Sequence, residues 1–198
     1  MKRDDVAAEN HFMSDINCEQ CVVQKSTYTV VCANGHICPF YTMNPFVIFQ
    51  MTPTLNIDRT LLDQRYFAFQ RVLHPDKLQD ASVQIKQWAE QHISQINQAY
   101  KALKDILLIA KATVLYLQNP TLGLEQFSDK DIPMLDGDFL SNIVRLQTQG
   151  TPEDIAELYH QVIVGLDRSI CELSLAGVLS SIAQLTYVER LRKLIQEI

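Results

Sequence analysis

Two apolar stripes of helical period, joined by a short polar segment, restrict residues 58–103 to a pair of helices. The first stripe recurs as on one face of a helix and consists of Leu62, Tyr66, Phe69 and Leu73. The second is longer and comprises Ile85, Trp88, Ala89, His92, Ile93, Ile96, Ala99, Tyr100 and Leu103. Asp58 is a suitable N-cap for the first helix, and Pro75 predicts that this helix ends near His74. With residues 76–82 as the connection, the pattern predicts an antiparallel αα-hairpin.

The last third of the chain also carries helical patterns. One runs through residues 138–146, and a second follows Thr151 as N-cap, Pro152 at the first helical position and Asp154 completing a capping box. Gly177 predicts a further break before the final helix. We therefore predict a mainly α protein whose C-terminal part is a three-helix bundle for protein contact.

Composition excludes several function classes. The six glycines among 198 residues occur singly, so neither a dinucleotide-binding G-x-G-x-x-G nor a phosphate-binding loop is present. A net charge of −6 argues against nucleic-acid binding. The longest apolar run, Ile106–Leu117, is short and contains Lys111, which argues against a membrane span. Residues 1–5 include two aspartates and precede no apolar core, so no secretory signal or clear presequence is expected.

The N-terminal cysteines predict a metal site. Four thiols lie within the first 38 residues: Cys18, Cys21, Cys32 and Cys38. Clustered thiols in a chain without a secretory signal favour zinc, and the intervening β-branched and aromatic residues suit a small β-ribbon. His36 is an alternative to Cys38 as the fourth ligand. Four protein ligands would make the zinc structural, and a redox or merely structural set of thiols is the competing interpretation.

The connection between the two helices reads His74-Pro75-Asp76-Lys77. An acid–base pair is one interpretation, but no nucleophile or third group is placed beside it. A H-P-D turn between two antiparallel amphipathic helices resembles the J-domain of co-chaperones. The resemblance implies that this turn stimulates ATP hydrolysis by a DnaK-type chaperone, and the alternative is that His74 and Asp76 only shape the turn.

Further motifs narrow the resemblance to the HscB-type co-chaperones of iron–sulfur cluster assembly. These motifs are Asn44–Phe49, Asn56–Asp58, Leu61-Leu62, Gln70-Arg71, Ile96–Leu103, and Ala112 with Tyr116 and Leu117. A tetracysteine module just upstream is similar to that of the zinc-bearing eukaryotic branch. The resemblance implies three domains: a zinc module at 1–42, a J-domain at 43–118 and a scaffold-binding domain at 119–198.

The J-domain resemblance has one departure. Phe67 and Ala68 stand where J-domains in general carry Lys or Arg. The basic residues expected to face the chaperone are Arg65, Arg71 and Lys77, because the family's chaperone-facing surface is basic and opposite charge steers encounter. A solvated helix face is the alternative for these residues. For Arg59, a solvated face and contact with the chaperone are equally supported.

The C-terminal part resembles the same family at fewer positions. The resemblance implies that Leu140, Ser141, Val144 and Tyr187 bind an IscU-type scaffold protein. Ser141 replaces a usual Met, and Arg145 stands where an acidic residue is common, which indicates altered affinity or an altered partner. Plain bundle core is the alternative role for the apolar members.

Together these features predict a co-chaperone, not an enzyme, that delivers an IscU-type scaffold to a DnaK-type chaperone. The alternatives are a J-domain protein for another client, and a zinc-module regulatory or assembly protein with an incidental H-P-D. The resemblance points to a mitochondrion or related organelle, with the cytoplasm as the alternative. Three roles of the zinc module stay open: it is needed for function, it only steadies the J-domain, or it mediates self-association. Cys171 has no evident role.

Overall fold

The computed structural model describes Val30, Ile37, Cys38 and residues 43–196. Seven α-helices occupy this part of the chain: α1 (Pro45–Ile48), α2 (Arg59–Leu73), α3 (Val83–Ala102), α4 (Ile106–Gln118), α5 (Gly137–Gln149), α6 (Pro152–Cys171) and α7 (Leu175–Gln196). Short 3₁₀ turns lie at Pro75–Leu78, Leu124–Gln126 and Asp129–Asp131. The prediction of a mainly α fold is confirmed, and no strand occurs within the described residues.

The predicted β-ribbon lies almost entirely outside the described residues. Within them, the Cys38 backbone N–H donates to the Val30 carbonyl at 2.9 Å. Val30, Ile37 and Cys38 are all buried. The ribbon itself stays a prediction.

The structure divides into two compact units, the first of which contains residues 43–51 and 58–101. The predicted hairpin is confirmed: α2 begins after Asp58, whose Oδ1 accepts from the Leu61 N–H at 3.0 Å, and ends at His74. Three residues of the first stripe, Leu62, Phe69 and Leu73, are buried. Helix α1 adds buried Phe46 and Ile48 to this core, and its C-cap residue Phe49 is buried there as well.

Among the described residues, the second unit contains 52–57 and 102–196. Helices α6 and α7 share its most extensive interface, and α4 and α5 both pack against α7. The predicted three helices are thus present, with α4 as a fourth member. The predicted domain limits assigned residues 52–57 and 102–118 to the J-domain, whereas their contacts group them with this unit. The limits 1–42, 43–118 and 119–198 otherwise stay predictions.

At two glycines of the second unit there is no room for a side chain. A Cβ at Gly150 would lie 2.5 Å from the Leu146 carbonyl oxygen, so the C-cap of α5 requires glycine. Gly177 lies inside α7, and the predicted break falls earlier, at residues 172–174, where Leu173 takes φ 52°. A Cβ at Gly177 would lie 2.6 Å from Ser169 Oγ. The absence of a side chain therefore lets α7 approach α6 closely.

Within the described part of the chain, no helix combines the length and hydropathy needed to cross a membrane.

Candidate functional site: an exposed turn and a helical patch

The His74-Pro75-Asp76 turn is exposed and held by local bonds. His74 closes α2 with an extended backbone (ψ 132°), as expected for a residue before proline. The Lys77 N–H donates to the His74 carbonyl at 2.9 Å and closes the 3₁₀ turn. The side chains of His74 and Asp76 keep 57% and 78% of their surface in solvent. The chain therefore presents the imidazole, the proline ring and the carboxylate together on one short turn.

His74 contacts both the backbone and the side chain of Asp76. Nδ1 of His74 lies 3.3 Å from the Asp76 backbone nitrogen and 3.4 Å from Asp76 Oδ2. Through Nδ1 the His74 side chain accepts from the Asp76 N–H and caps the turn. The contact with the carboxylate is exposed and of small energetic weight.

The turn is fixed to α3 by Lys86, whose Nζ donates to the Gln79 carbonyl at 2.7 Å. Beside it opens a cleft of about 380 Å³, whose walls include Leu73, Pro75, Leu78 and Ile93. The walls are mainly apolar, and Gln79, Lys86 and Glu90 are their polar members. The Lys86 ammonium is engaged by the Gln79 carbonyl.

A hydrogen-bond network joins α2 to α3, and its individual contacts were not predicted. Asn97 Oδ1 accepts from the Tyr66 hydroxyl at 3.0 Å and from Gln70 Nε2 at 3.1 Å. The Tyr100 hydroxyl donates to Asp63 Oδ1 at 2.7 Å, and the rings of Tyr66 and Tyr100 stack with centroids 4.0 Å apart. The I-N-x-A-Y motif located Asn97 and Tyr100, but only the packed hairpin shows which α2 residues they bind.

The predicted basic residues occupy two different environments. Arg71 and Lys77 are exposed, next to the turn in sequence. Arg65 instead donates through Nη1 to the carbonyls of Phe49 and Gln50. Gln50 has a positive φ of 48°, and Arg65 holds that unfavourable backbone in place. Burial lowers the pKa of the Arg65 guanidinium. Arg65 therefore acts in the structure as a brace of the α1–α2 connection.

The predicted metal ligands are described only at Cys38. Cys18, Cys21, Cys32 and His36 lie outside the described residues, and no group of three His, Cys, Asp or Glu side chains suited to a metal occurs among the residues that the structure describes. Cys38 is 2% exposed. A thiol enclosed in this way suits a metal ligand or a structural cysteine equally, so the zinc site stays a prediction. Cys171 is exposed on α6.

His92 connects the cysteine-bearing segment to the hairpin. This histidine of α3 is fully buried, and its Nε2–H donates to the Cys38 carbonyl at 3.0 Å. Burial lowers the pKa of His92, and the bond to Cys38 partly opposes that effect. The neutral imidazole therefore ties Cys38 to α3. The apolar stripe in the sequence located His92, but gave no sign of this partner.

The predicted scaffold-binding residues lie on α5 and α7, which pack against each other. Leu140 and Val144, one turn apart on α5, are 36% and 59% exposed, and Tyr187 on α7 is 41% exposed. Ser141 is exposed between them in sequence, so all four side chains reach the surface. The Arg190 guanidinium lies 5.8 Å from the Tyr187 ring centroid. We call Leu140, Ser141, Val144 and Tyr187 the α5–α7 patch.

Arg145 is engaged within its own helix. Its Nε and Nη2 donate to Asn142 Oδ1 at 3.3 and 2.9 Å. The cation predicted to alter partner choice is therefore exposed next to Val144 and is held by a neighbouring amide.

Comparison with known proteins finds HscB co-chaperones both among relatives in sequence and among solved structures. A co-chaperone protein HscB homolog of Shewanella woodyi is 34% identical over 141 residues, which span 70% of this chain and 80% of the relative. The crystal structure of the human co-chaperone protein HscB matches with a TM-score of 0.64 and 19% identity, covering 92% of this chain and 98% of that one. The chaperone HscB from Vibrio cholerae matches with a TM-score of 0.60 and 22% identity, over 78% and 96% of the two chains. No family model matches the chain.

Proposed function

The chain belongs to the HscB co-chaperone family, and on this premise we propose that it serves iron–sulfur cluster assembly as an adaptor between two proteins. It binds an IscU-type scaffold through the α5–α7 patch and presents His74-Pro75-Asp76 to a DnaK-type chaperone. Hydrolysis of ATP in the chaperone then traps the scaffold, and cluster transfer follows. The observation that carries the proposal is the exposed, locally braced turn between two antiparallel helices in a member of this family.

The division of labour follows from the chemistry of the two surfaces. The turn offers an imidazole, a carboxylate and a neighbouring ammonium group, which suit polar recognition of a folded chaperone domain. The α5–α7 patch offers aliphatic and aromatic surface, which suits burial against an apolar face of a partner. On this proposal the chain stimulates the partner's reaction and itself catalyses no covalent step, in keeping with the co-chaperone names of its relatives.

The zinc-bearing eukaryotic branch also belongs to the proposal. Cys18, Cys21 and Cys32, with Cys38 or His36, would hold a structural zinc ion that organises the N-terminal segment. The bond from His92 to the Cys38 carbonyl supports an attachment of that segment to α3. A mitochondrion or related organelle is the compartment that the branch implies. The cytoplasm is the alternative, since the curated relative above is bacterial.

The decisive test measures the steady-state ATPase of a cognate DnaK-type chaperone with and without an IscU-type scaffold. We expect the full-length chain to stimulate hydrolysis, and the scaffold to increase the stimulation synergistically. His74→Gln removes the imidazole from an exposed position, so it should abolish stimulation while helicity and scaffold binding stay unchanged. Normal stimulation by this variant would contradict the J-domain assignment.

The second arm of the test addresses the scaffold. Leu140→Ala combined with Tyr187→Ala should weaken scaffold binding by about tenfold or more, because two exposed apolar contacts are lost. Basal stimulation without scaffold should remain. Val164→Ala, at a 44% exposed position on α6, is the matched control. If the scaffold binds normally while His74→Gln is inactive, the chain is a J-domain protein for a different client.

A further inference from the structure

One face of α2 runs in solvent to the His-Pro-Asp turn. Its members are spaced by three or four residues and are Thr60, Gln64, Phe67, Arg71 and His74. All five are exposed, whereas Leu62, Phe69 and Leu73 face the core of the same unit. We call the five exposed residues the α2 stripe. Because the stripe ends at His74, a partner that reads the turn from this side also covers Phe67, two turns earlier.

Phe67 is an unusual member of this stripe. It keeps 57% of its surface in water although the core of the hairpin is complete without it. The exposed part of this ring contributes no buried apolar surface to folding. Large aromatic side chains are, by contrast, the residues that most often dominate protein–protein binding energy.

The Phe67 ring rests on an ordered neighbour. It meets the Tyr66 ring edge to face, with centroids 5.5 Å apart. Tyr66 is itself held by stacking on Tyr100 at 4.0 Å and by its hydrogen bond to Asn97 at 3.0 Å. An aromatic side chain supported in this way loses little conformational freedom on binding, which favours affinity.

The surroundings of Phe67 indicate the chemistry of its partner. The α2 stripe contains the guanidinium of Arg71, and Lys77 follows Asp76 in the turn. The carboxylate nearest along α2 is Asp63, four residues before Phe67, and it accepts a hydrogen bond from the Tyr100 hydroxyl. The exposed ring with a cation one turn away fits an apolar depression that has acidic groups at its rim. An acidic chaperone surface beside the site that receives the turn has this chemistry.

We infer that Phe67 is an apolar anchor which inserts into the ATPase chaperone next to the binding site of the His-Pro-Asp turn and sets the affinity of that encounter. This inference rests on the proposed function. It assigns different roles along one stripe: Phe67 supplies affinity, Arg71 steers the encounter, and His74 transmits the stimulation.

The test titrates the full-length chain into the chaperone ATPase assay and separates the half-maximal concentration from the maximal stimulation. Phe67→Gln should raise the half-maximal concentration by about tenfold and leave the maximum unchanged. Phe67→Leu, which keeps an apolar side chain, should retain most of the affinity. Val83→Gln, at a 73% exposed position of the same unit, should match the wild type. Circular dichroism and thermal melting confirm that each variant is folded.

Salt distinguishes the two kinds of contact. Raising the ionic strength should shrink the defect of Arg71→Gln, because screening removes the electrostatic advantage of the wild type. The defect of Phe67→Gln should persist, since apolar burial does not depend on screening.

Three outcomes would overturn the inference. An unchanged half-maximal concentration for Phe67→Gln, with His74→Gln inactive, would leave the proposed function intact and remove Phe67 from the interface. A wild-type dimer that Phe67→Gln converts to monomer, with unchanged stimulation, would show that a second copy of this chain covers the ring. Normal stimulation by His74→Gln would instead defeat the proposed function, and the inference would fall with it.

Discussion

The His-Pro-Asp turn and the α5–α7 patch are both exposed, yet they are built in different ways. The turn is a contiguous segment shaped by a residue before proline, a 3₁₀ hydrogen bond and a contact between His74 and Asp76. The patch takes its members from two helices that are distant in sequence and that pack against each other, α5 and α7. A local site can be recognised from a short motif, whereas a patch of this kind depends on how every neighbouring side chain packs.

The sharpest test of the patch compares adjacent residues of α5. Ile143 is 4% exposed and Val144 is 59% exposed, although both are aliphatic. Ile143→Ala should lower the free energy of unfolding by about 2–5 kcal/mol, because it leaves a cavity in the core. Val144→Ala should change it by less than about 0.5 kcal/mol, since its surface is already in water. Urea unfolding measures both, and equal losses would show that Val144 belongs to the core.

A smaller effect is expected from the hydrogen-bond network between α2 and α3. Asn97→Ala removes the acceptor shared by Tyr66 and Gln70, so the free energy of unfolding should fall by about 1–3 kcal/mol. Gln98→Ala, one residue on at an exposed position, serves as the control. Thermal melting compares the two. If Asn97→Ala is as stable as the control, the hydrogen bonds of Asn97 do not stabilise the hairpin.

The smallest effect concerns a purely local element of the second unit, the cap of α6. Thr151 Oγ1 accepts from the Asp154 N–H at 3.2 Å, and the Asp154 carboxylate accepts from the Thr151 N–H at 2.9 Å. Thr151→Ala should cost about 1 kcal/mol in the free energy of unfolding. Ser180→Ala, at an exposed position within α7, is a control without a capping role.

The same cap predicts a dependence on pH. The backbone hydrogen bond from Thr151 lowers the pKa of Asp154, its side-chain bond adds to this, and Arg145 contributes further. A carboxylate whose pKa is lower in the folded state adds stability that is full above its unfolded pKa of about 4 and is lost as the pH falls through the folded value. Asp154→Asn should therefore flatten the stability profile below about pH 4. Parallel profiles for wild type and variant would contradict the role of this carboxylate.

The sequence by itself determined the hairpin helices α2 and α3, the C-terminal helices α5 to α7 and the turn, because these depend on neighbours in the chain, whereas α1 and α4 were not predicted. Asp58 and Thr151 cap the helices predicted for them, Pro75 ends α2, and the stripe of Leu62, Phe69 and Leu73 faces the core. The motifs around the turn and on α3 also identified the family correctly.

Only the tertiary structure decided the roles of residues whose partners are distant in sequence. Arg65 braces the carbonyls of residues 49 and 50 across the α1–α2 connection, and His92 binds the Cys38 carbonyl. Helix α4 packs on α7, although its sequence was assigned to the J-domain. Hydropathy and spacing indicate which side chains share a helix face, but not which residues pack against that face. Burial and hydrogen bonding depend on those packing partners. They distinguish the brace Arg65 from the exposed Arg71, and the core residue Ile143 from the exposed Val144.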